Sequence, residues 1–471
     1  MTDASPRGAW SPGRRLLTAG LVFFTTASAF EGLAVPTVLP ETLDELGNLA
    51  LYGWAFSGFW LASLVGATLG GREADRRGPM PPFAVGVGCF ALGLLVAGLA
   101  PSMEWVVAGR VVQGLGSGAT AAMAYVAIAL GYDAVARPRM IAVISSAWVL
   151  PGLVGPALAG FITQELSWRW IFLGLVPMLP LAAVTTLGPL QQLRADPADR
   201  TGDGGVARVS DALLLVAGAG LVLGGLSMRN LLALVAVPAG LLLAARPLRR
   251  LLPPGTLNAR PGRPAAIVVL LLLNVGFFGV EAFVPLTVSS IRGAGPLIGG
   301  LALTTASVTW AAGSWVQARL ANGGSRRPLM VAGLSLVVAG IGLTTSVLIT
   351  GVPVWVAALA WAVAGFGMGL CFSAVTLAAI EGAPAGAEGS TSGAVQLANT
   401  LGTAVGTGAA GAIVALGGAS AMGLAPGIAI SNLVMLVVCA VAIAAAGRVG
   451  ERGPTTEARR TAIPVEHGPA L

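Results

Sequence analysis

Two glutamates of this chain lie inside apolar stretches, where ionisable side chains are rare. Glu31 lies in the run 29–36, and Glu281 lies in a similar run, 279–285, about 250 residues later. A charged side chain at the centre of a membrane helix costs roughly 2.5–3.5 kcal/mol on insertion scales, so such residues are usually functional. A carboxyl group can take up and release a proton there. The sequence therefore predicts two proton-binding groups, Glu31 and Glu281, in matching stretches.

A basic side chain is expected close to the first of these acids. Arg110 lies in the fourth apolar stretch and shares a helical face with Gln113 and Gly114. Arg110 is about 9 Å below the outer end of its helix, and Glu31 is about 22 Å above the inner end of the first. An ion pair between Glu31 and Arg110 is sterically possible. The alternative is that Arg110 only satisfies backbone carbonyl groups.

The composition places these residues in a membrane. The chain of 471 residues is 55% hydrophobic and 10% charged, and its mean hydropathy is +0.84, whereas a soluble domain carries about 25% charged residues. All 27 basic residues are arginine, which indicates a GC-rich genome. The net charge of +7 could indicate a nucleic-acid partner, but the arginines fall between apolar spans. We therefore expect a lipid bilayer and no nucleic acid.

Several kinds of chemistry are not expected. The single histidine, His467, lies in a polar tail, so catalysis by a histidine pair or triad is excluded. The three cysteines, Cys89, Cys371 and Cys439, each lie alone in an apolar run, which indicates neither a metal site nor a disulfide. A phosphate-binding loop of the Gly-Lys-Ser/Thr type requires a lysine, and the chain has none. The sequence predicts no metal, no cofactor and no enzyme activity.

Fourteen stretches are candidates for membrane-spanning helices, because a span needs about 20 apolar residues. They run approximately over 16–39, 51–71, 82–100, 104–131, 139–163, 169–188, 211–227, 230–246, 264–291, 295–318, 328–350, 353–380, 389–417 and 424–447. The seventh and eighth are short. Dropping both leaves twelve spans with the same topology, so charge alone does not decide between fourteen and twelve.

The arginines predict the topology. Segments on one side hold 23 of them, the opposite side holds Arg169, Arg229 and Arg292, and Arg110 lies within a span. Positive charge collects in cytoplasmic loops. We therefore expect both termini in the cytoplasm of a multi-pass protein in a bacterial plasma membrane.

The order of spans predicts an all-α membrane protein with a repeated architecture. The predicted domains are a six-helix bundle (1–188), a cytoplasmic linker with two extra short helices (189–263), a second six-helix bundle (264–447) and a disordered cytoplasmic tail (448–471). Both bundles start from the same side, which predicts a pseudo-two-fold axis along the membrane normal. Transporters built in this way bind their substrate between the halves, near the bilayer midplane.

Two motifs resemble those of the major facilitator superfamily. The loop after the second span, 71–78, is similar to the charged loop between helices two and three of that family, and Arg110, Gln113 and Gly114 resemble its Arg-x-x-Gln-Gly motif. The resemblance implies conformational gating by four loop residues, Gly71, Asp75, Arg76 and Gly78.

The fifth span indicates a subtype of that family. Its prolines and glycines resemble a motif of antiporter-type exporters, which implies gating by Pro151, Gly152, Gly155, Pro156 and Gly160. The following segment, 168–172, reads Trp-Arg-Trp-Ile-Phe and is similar to a loop of fourteen-helix drug/proton antiporters.

Polar and aromatic residues within spans are candidates for lining a substrate cavity. We expect this role for Gln113, Asn274, Gln396, Asn399, Trp60 and Trp310. The alternative for the amides is that they hold helices together, and the two tryptophans fit simple packing equally well.

The sequence thus predicts a proton-coupled secondary active exporter of lipophilic or amphiphilic small molecules, such as a drug or secondary metabolite, working by alternating access as a monomer. Its expected partners are the small-molecule substrate, protons and the lipid bilayer. Two alternatives stay open: a proton symporter of the same fold that imports a small solute, and a lipid-handling membrane protein that works with an envelope partner.

Overall fold

Every described element of the computed structural model is helical. The structure describes residues 14–133, 136–193, 204–228, 231–320, 325–381, 388–418 and 423–450. The helices are α1 (Arg15–Leu46), α2 (Tyr52–Arg77), α3 (Met80–Gly98), α4 (Met103–Gly131), α5 (Ala136–Ser146), α6 (Val149–Glu165), α7 (Arg169–Leu173), α8 (Leu179–Gln191), α9 (Gly204–Ser227), α10 (Ala233–Leu251), α11 (Arg263–Glu281), α12 (Val284–Leu286), α13 (Pro296–Leu320), α14 (Arg327–Ser346), α15 (Val356–Glu381), α16 (Glu388–Gly418) and α17 (Leu424–Ala446). The predicted tail beyond residue 450 and the part of the linker at 194–203 lie outside these ranges.

Within the described part of the chain, twelve helical segments are long and apolar enough to cross a membrane. The prediction of fourteen spans is therefore not confirmed. The two helices that fail the composition test are α10 and α13. α10 carries Arg246, Arg249 and Arg250 in its last two turns, and α13 is diluted by serine, threonine and glycine. One member of the short central pair, 208–227, does meet the test.

The helices form two bundles whose internal packing repeats. The first half is defined here as α1–α8 and the second half as α11–α17. Gly66 of α2 lies against the carbonyl group of Leu115 in α4, and Gly313 of α13 lies in the same way against that of Phe366 in α15. The glycines are 247 residues apart and the carbonyl groups 251 apart. The same two offsets relate the contact of Gly86 with Gly116 to that of Gly333 with Gly367.

The difference between the two offsets means that the connection from α14 to α15 is about four residues longer than that from α3 to α4. Arg292 holds this longer loop. Its guanidinium donates hydrogen bonds of 2.6–3.1 Å to the carbonyl oxygens of Val347, Ile349, Thr350 and Val352. The loop is thus fixed by backbone acceptors of one arginine.

The two first helices of the halves differ in shape. α1 is one continuous helix although it contains Pro36 and Pro40. α11 ends at Glu281, and a short turn of helix and a π-helical turn at Thr287–Ile291 follow it. Proline removes a backbone donor and disturbs the turn before it, so Pro285 at the start of α12 fits this break.

An additional helical hairpin packs beside the two halves. α9 and α10 lie against each other, and Arg250 pairs with Asp211 at 3.4 Å. α9 also contacts both α2 and α16. Leu223 of α9 packs on Gly408, and Gly220 and Gly224 face the ring of Trp54 at 3.8–4.0 Å. The hairpin therefore covers one of the two lines along which the halves meet.

Candidate functional site

A buried cluster of polar side chains joins α1 to α4. The Nη1 group of Arg110 donates a hydrogen bond to Oε1 of Glu31 in an ion pair, and Nε2 of Gln113 donates to the same oxygen at 3.3 Å. Glu31 and Gln113 are fully buried, and Arg110 is 2% exposed. In this environment of low dielectric, the attraction between opposite charges is much stronger than in water.

Arg110 also binds α2. Its Nε donates to the carbonyl oxygen of Ala55 at 3.0 Å, and its guanidinium lies 4.2 Å from the centre of the Phe59 ring. Both interpretations of this arginine therefore hold, because it pairs with an acid and satisfies a backbone carbonyl. The second carboxylate oxygen of Glu31, Oε2, is buried and has no hydrogen-bond partner among the described residues.

The two halves are in close contact at one end of the bundle. We call the end that carries Arg15 and Arg448 the near face and the opposite end the far face. Towards the far face, α2 packs on α16, where a Cβ on Gly53 would lie 2.7 Å from Cα of Gly411. On the other side, α6 packs on α13, where Gly300 lies against the carbonyl group of Pro156. We call these two contact lines the α2–α16 seam and the α6–α13 seam.

The two seams are equivalent in the repeat. Gly53 and Gly300 are 247 residues apart, which is the offset that relates α2 to α13. Between the seams, Tyr52 donates a hydrogen bond to the carbonyl oxygen of Ala282 at 3.1 Å. Its ring also contacts that of Phe283, with the centroids 5.1 Å apart. The far face is therefore closed by glycine contacts and one tyrosine.

The halves separate towards the near face. There, Gly66 and Gly70 of α2 pack on α4 of their own half, and Gly402 of α16 packs on α11 of its own half. Gln396 of α16 is exposed and Asn399 is half-buried. The conformation is closed at the far face and open at the near face.

Glu31 lies just below the closed seam. Thr37 of α1 contacts Gly300 of the second half, and Glu31 is six residues, or about 9 Å along the helix, closer to the near face. Glu281 lies next to Ala282, the residue that accepts the hydrogen bond of Tyr52. Both acids thus lie where the closed end meets the open end.

The two acids do not occupy equivalent positions. Arg110 is 251 residues before Trp361, so the repeat offset of α4 and α15 matches these two residues. Trp361 stacks on Phe277, with the ring centroids 5.0 Å apart, whereas Arg110 contacts Glu31. By its contacts, Phe277 takes the place of Glu31. Glu281 lies one turn further along α11 and is partly exposed.

The sequence-predicted lining residues are divided between the halves. Asn274 is buried, and its Nδ2 donates to the carbonyl oxygen of Leu270 at 2.7 Å. Trp60 packs edge-on against Phe59, with the ring centroids 5.3 Å apart. The 247-residue offset makes Ser63, not Trp60, the equivalent of Trp310. The 250-residue spacing of the two tryptophans is therefore not a repeat relationship.

The predicted gating residues lie in two places. Asp75 and Arg76 are exposed at the near face, and the ion pair recorded in their segment joins Arg77 to Glu73 at 2.9 Å. Gly78 ends α2 with a φ of +85°, a conformation that favours glycine. Gly71 has open space around its Cα.

The proline–glycine motif of α6 faces other helices. Pro156 and Gly160 lie in the α6–α13 seam, and Gly152 is close to the side chain of Ser307 in α13. Gly155 faces the ring of Phe30 at 3.5 Å, and Pro151 is buried. These residues permit the backbones of α6 and α13 to approach closely.

Sequence reasoning missed the residues that close the far face, namely Tyr52, Gly53, Gly300 and Gly411, together with Trp361. Glycines and single aromatic residues are common in membrane helices, so only their partners across the seam make them distinctive. In the described ranges, no group of three or more His, Cys, Asp or Glu residues could hold a metal ion.

An all-helical membrane protein with two repeated bundles that meet beside buried acids has the architecture of a secondary transporter. Residues 17–407 match the model of the Major Facilitator Superfamily. The chain therefore belongs to the major facilitator superfamily, and it is a transporter, not an enzyme.

Relatives support the subtype. The chain is 27% identical over 439 residues to the "Probable multidrug-efflux transporter Rv1634" of Mycobacterium tuberculosis (strain ATCC 25618 / H37Rv), which covers 88% of this chain and 91% of the relative. It is 25% identical over 376 residues to the "Multidrug transporter protein MdtP" of Bacillus subtilis (strain 168), which covers 78% of this chain and 69% of the relative.

Solved structures share the fold at low identity. An auto-inhibited peptide transporter of the POT family matches with a TM-score of 0.65 and 17% identity, covering 96% of this chain and 99% of that one. The xylose transporter XylE from E. coli matches with a TM-score of 0.60 and 14% identity, covering 97% and 99%.

Proposed function

We propose that this protein is a proton-coupled exporter of lipophilic or amphiphilic small molecules that works by alternating access. The observation that carries the proposal is the buried ion pair of Glu31 with Arg110 directly below a closed seam. The efflux function named for the relatives supports the direction of transport.

The proposed coupling step is the protonation of Glu31. When the seams open at the far face, water reaches Glu31 and a proton neutralises it, which breaks the ion pair with Arg110. Arg110 keeps its carbonyl acceptor on Ala55, so it stays in place. When the halves close again at the far face, the acid releases its proton to the near face and re-forms the ion pair. Glu281 is a second site of proton or cation binding.

Gating follows from the same geometry. Opening the far face requires the α2–α16 and α6–α13 seams to separate, and closing the near face brings the loop residues Asp75 and Arg76 towards the second half. The prolines and glycines of α6 permit the tight approach that the closed state needs.

The proposed topology has fourteen spans, with α10 and α13 crossing the bilayer beside the twelve more apolar segments. Both are long enough to cross the hydrocarbon core, since 19 and 25 residues give about 28 Å and 37 Å of helix. The location proposed is a bacterial plasma membrane with both termini in the cytoplasm, where the protein works as a monomer.

The function is tested in proteoliposomes that contain a pH-sensitive dye. A proton-coupled exporter moves a lipophilic dye such as ethidium against the direction of proton flow, so adding ethidium on the side of the near face releases protons there. An importer of the symporter type gives a pH change of the opposite sign, and that result contradicts the proposal.

The residue assignment is tested in the same vesicles. Glu31→Gln is expected to abolish the substrate-dependent pH change while the variant still inserts and purifies. Glu165→Gln, which changes an exposed acid at the end of α6, is the matched control and is expected to behave as the wild type. Coupled transport at the native rate by Glu31→Gln would remove Glu31 from the coupling step.

A further inference from the structure

We infer that the second half carries its own binding site for an organic monocation, built from Glu281 and the aromatic side chains of Phe278, Trp310 and Phe372. This inference rests on the proposed function and names the class of substrate and the half that recognises its charge. Its basis is the difference between the two acids.

Glu281 lacks the partners that Glu31 has. The carboxylate of Glu31 binds a guanidinium and an amide group. Among the residues that the structure describes, no hydrogen bond and no ion pair is recorded for the carboxylate of Glu281. A carboxylate away from bulk water strongly favours binding a positive charge when none is supplied by the protein.

The repeat explains why the charge is missing. The offset of 251 residues between α4 and α15 matches Arg110 with Trp361 and Gln113 with Ala364. The second half therefore has an indole where the first half has a guanidinium, and a methyl group where it has an amide. A positive charge at Glu281 has to come from outside the chain.

Aromatic rings surround the approach to Glu281. Phe278 precedes Glu281 by three residues, so it lies on the same face of α11. Trp310 of α13 packs on Phe278, with the centroids 6.3 Å apart, and on Phe372 of α15, with the centroids 5.6 Å apart. Phe278, Trp310, Phe372 and Glu281 are all partly exposed, unlike Glu31.

This face of α11 points to the space between the helices. The neighbouring faces of α11 are occupied by other helices, since Val275 contacts Gly406 of α16 and Gly279 contacts Met435 of α17. Asn274 lies two turns before Glu281 on the open face, and its buried Oδ1 has no hydrogen-bond partner among the described residues. The face thus offers a carboxylate, a free amide oxygen and aromatic rings.

These groups select one chemical class. A carboxylate supplies the opposite charge, and the faces of tryptophan and phenylalanine rings attract cations by the ring quadrupole. A weakly hydrated cation with apolar substituents gains both terms and loses little hydration. A neutral molecule of the same shape gains only the contact with the rings. The site therefore fits a lipophilic organic monocation, held in the second half beside the closed seam.

The test compares two probes of similar shape, tetraphenylphosphonium and the neutral triphenylphosphine oxide, by calorimetric titration of the purified full-length protein in lipid nanodiscs. Tetraphenylphosphonium is expected to bind at least about tenfold more tightly than the oxide, or about 1.4 kcal/mol. In Glu281→Gln this preference is expected to disappear, with the affinity for the oxide unchanged. The control Glu165→Gln is expected to keep the preference.

A second pair of variants guards against misfolding. Trp310→Leu is expected to weaken tetraphenylphosphonium binding about threefold to tenfold, and Trp310→Phe is expected to restore most of it, because a ring face is kept. The inference is overturned if the wild type does not prefer the cation, or if Glu281→Gln keeps the preference. Either result leaves proton-coupled ethidium export intact as a separate finding. Loss of coupled export with normal cation binding would overturn the proposed function and leave the site.

Discussion

Tyr52 and Ala282 join the two halves of the protein directly, through a hydrogen bond of 3.1 Å from the tyrosine hydroxyl to the main-chain carbonyl oxygen. The bond crosses from the first half to the second at the residue beside Glu281. Tyr52 is fully buried, so the bond is protected from water. A change at Glu281 can therefore be transmitted to the closure of the far face through one peptide unit.

Tyr52→Phe is expected to favour the open state of the far face. The lost hydrogen bond is worth about 0.5–1.5 kcal/mol, which is a shift of roughly twofold to tenfold in the ratio of closed to open molecules. Spin labels at Leu166 and Ser290, on opposite halves at the far face, measure this ratio by their distance distribution. Tyr132→Phe is the control, because that hydroxyl contacts Thr18 within the first half. An unchanged distribution in Tyr52→Phe would show that the bond does not contribute to closure.

Gly53→Ala is expected to open the far face more strongly. The new Cβ would lie 2.7 Å from Cα of Gly411, so the two backbones have to move apart, at an expected cost of about 1–3 kcal/mol. Because the seams are equivalent, Gly300→Ala is expected to act in the same direction. The measurement is again the label distance between Leu166 and Ser290. Gly88→Ala, which meets nothing within 4 Å, is expected to have no effect.

Arg110→Gln is expected to destabilise the protein by about 3–5 kcal/mol, because it leaves the carboxylate of Glu31 buried without its counter-charge. The double variant Glu31→Gln with Arg110→Gln is expected to recover a large part of this loss. Thermal unfolding in detergent, followed by the amount of monodisperse protein, measures both. If the double variant is as unstable as the sum of the two single variants, the two residues are not energetically coupled.

Arg292→Gln is expected to loosen the loop between α14 and α15, since four carbonyl oxygens lose their donor. Each hydrogen bond from a charged group contributes about 1.5–3 kcal/mol, so the loop should become the first site of proteolysis at the far face. Limited digestion followed by mass spectrometry measures the cleavage rate. Arg319→Gln, which removes an exposed guanidinium stacked on Trp315 at the near face, is expected to leave that rate unchanged.

Much of the architecture could be predicted from the sequence, because hydropathy and arginine distribution depend on the bilayer and not on packing. The contact of Arg110 with Glu31 was also within reach, since helix rise places both at a similar depth. Fixed spacing along the chain was less reliable. The four additional residues before α15 shift the register, so the 250-residue intervals of Glu31 with Glu281 and of Trp60 with Trp310 do not mark equivalent positions.

The composition test also misjudged individual helices. α13 lies between α6 and α15, where serine, threonine and glycine pack against protein, so its mean hydropathy is low for a helix in the bundle. The residues of the closed seams could not be predicted, because a glycine contact depends on two backbones that are distant in the chain.

The hairpin of α9 and α10 has a mechanical consequence. α9 is packed on Trp54 of the first half and on Gly408 of the second, and a single rigid helix cannot follow two bodies that rotate in opposite directions. One of its two contact surfaces must slip in every transport cycle. Gly220 and Gly224 present a smooth track to the indole of Trp54, and the bare Gly408 does the same for Leu223, so the hairpin works as a bearing on which one half turns.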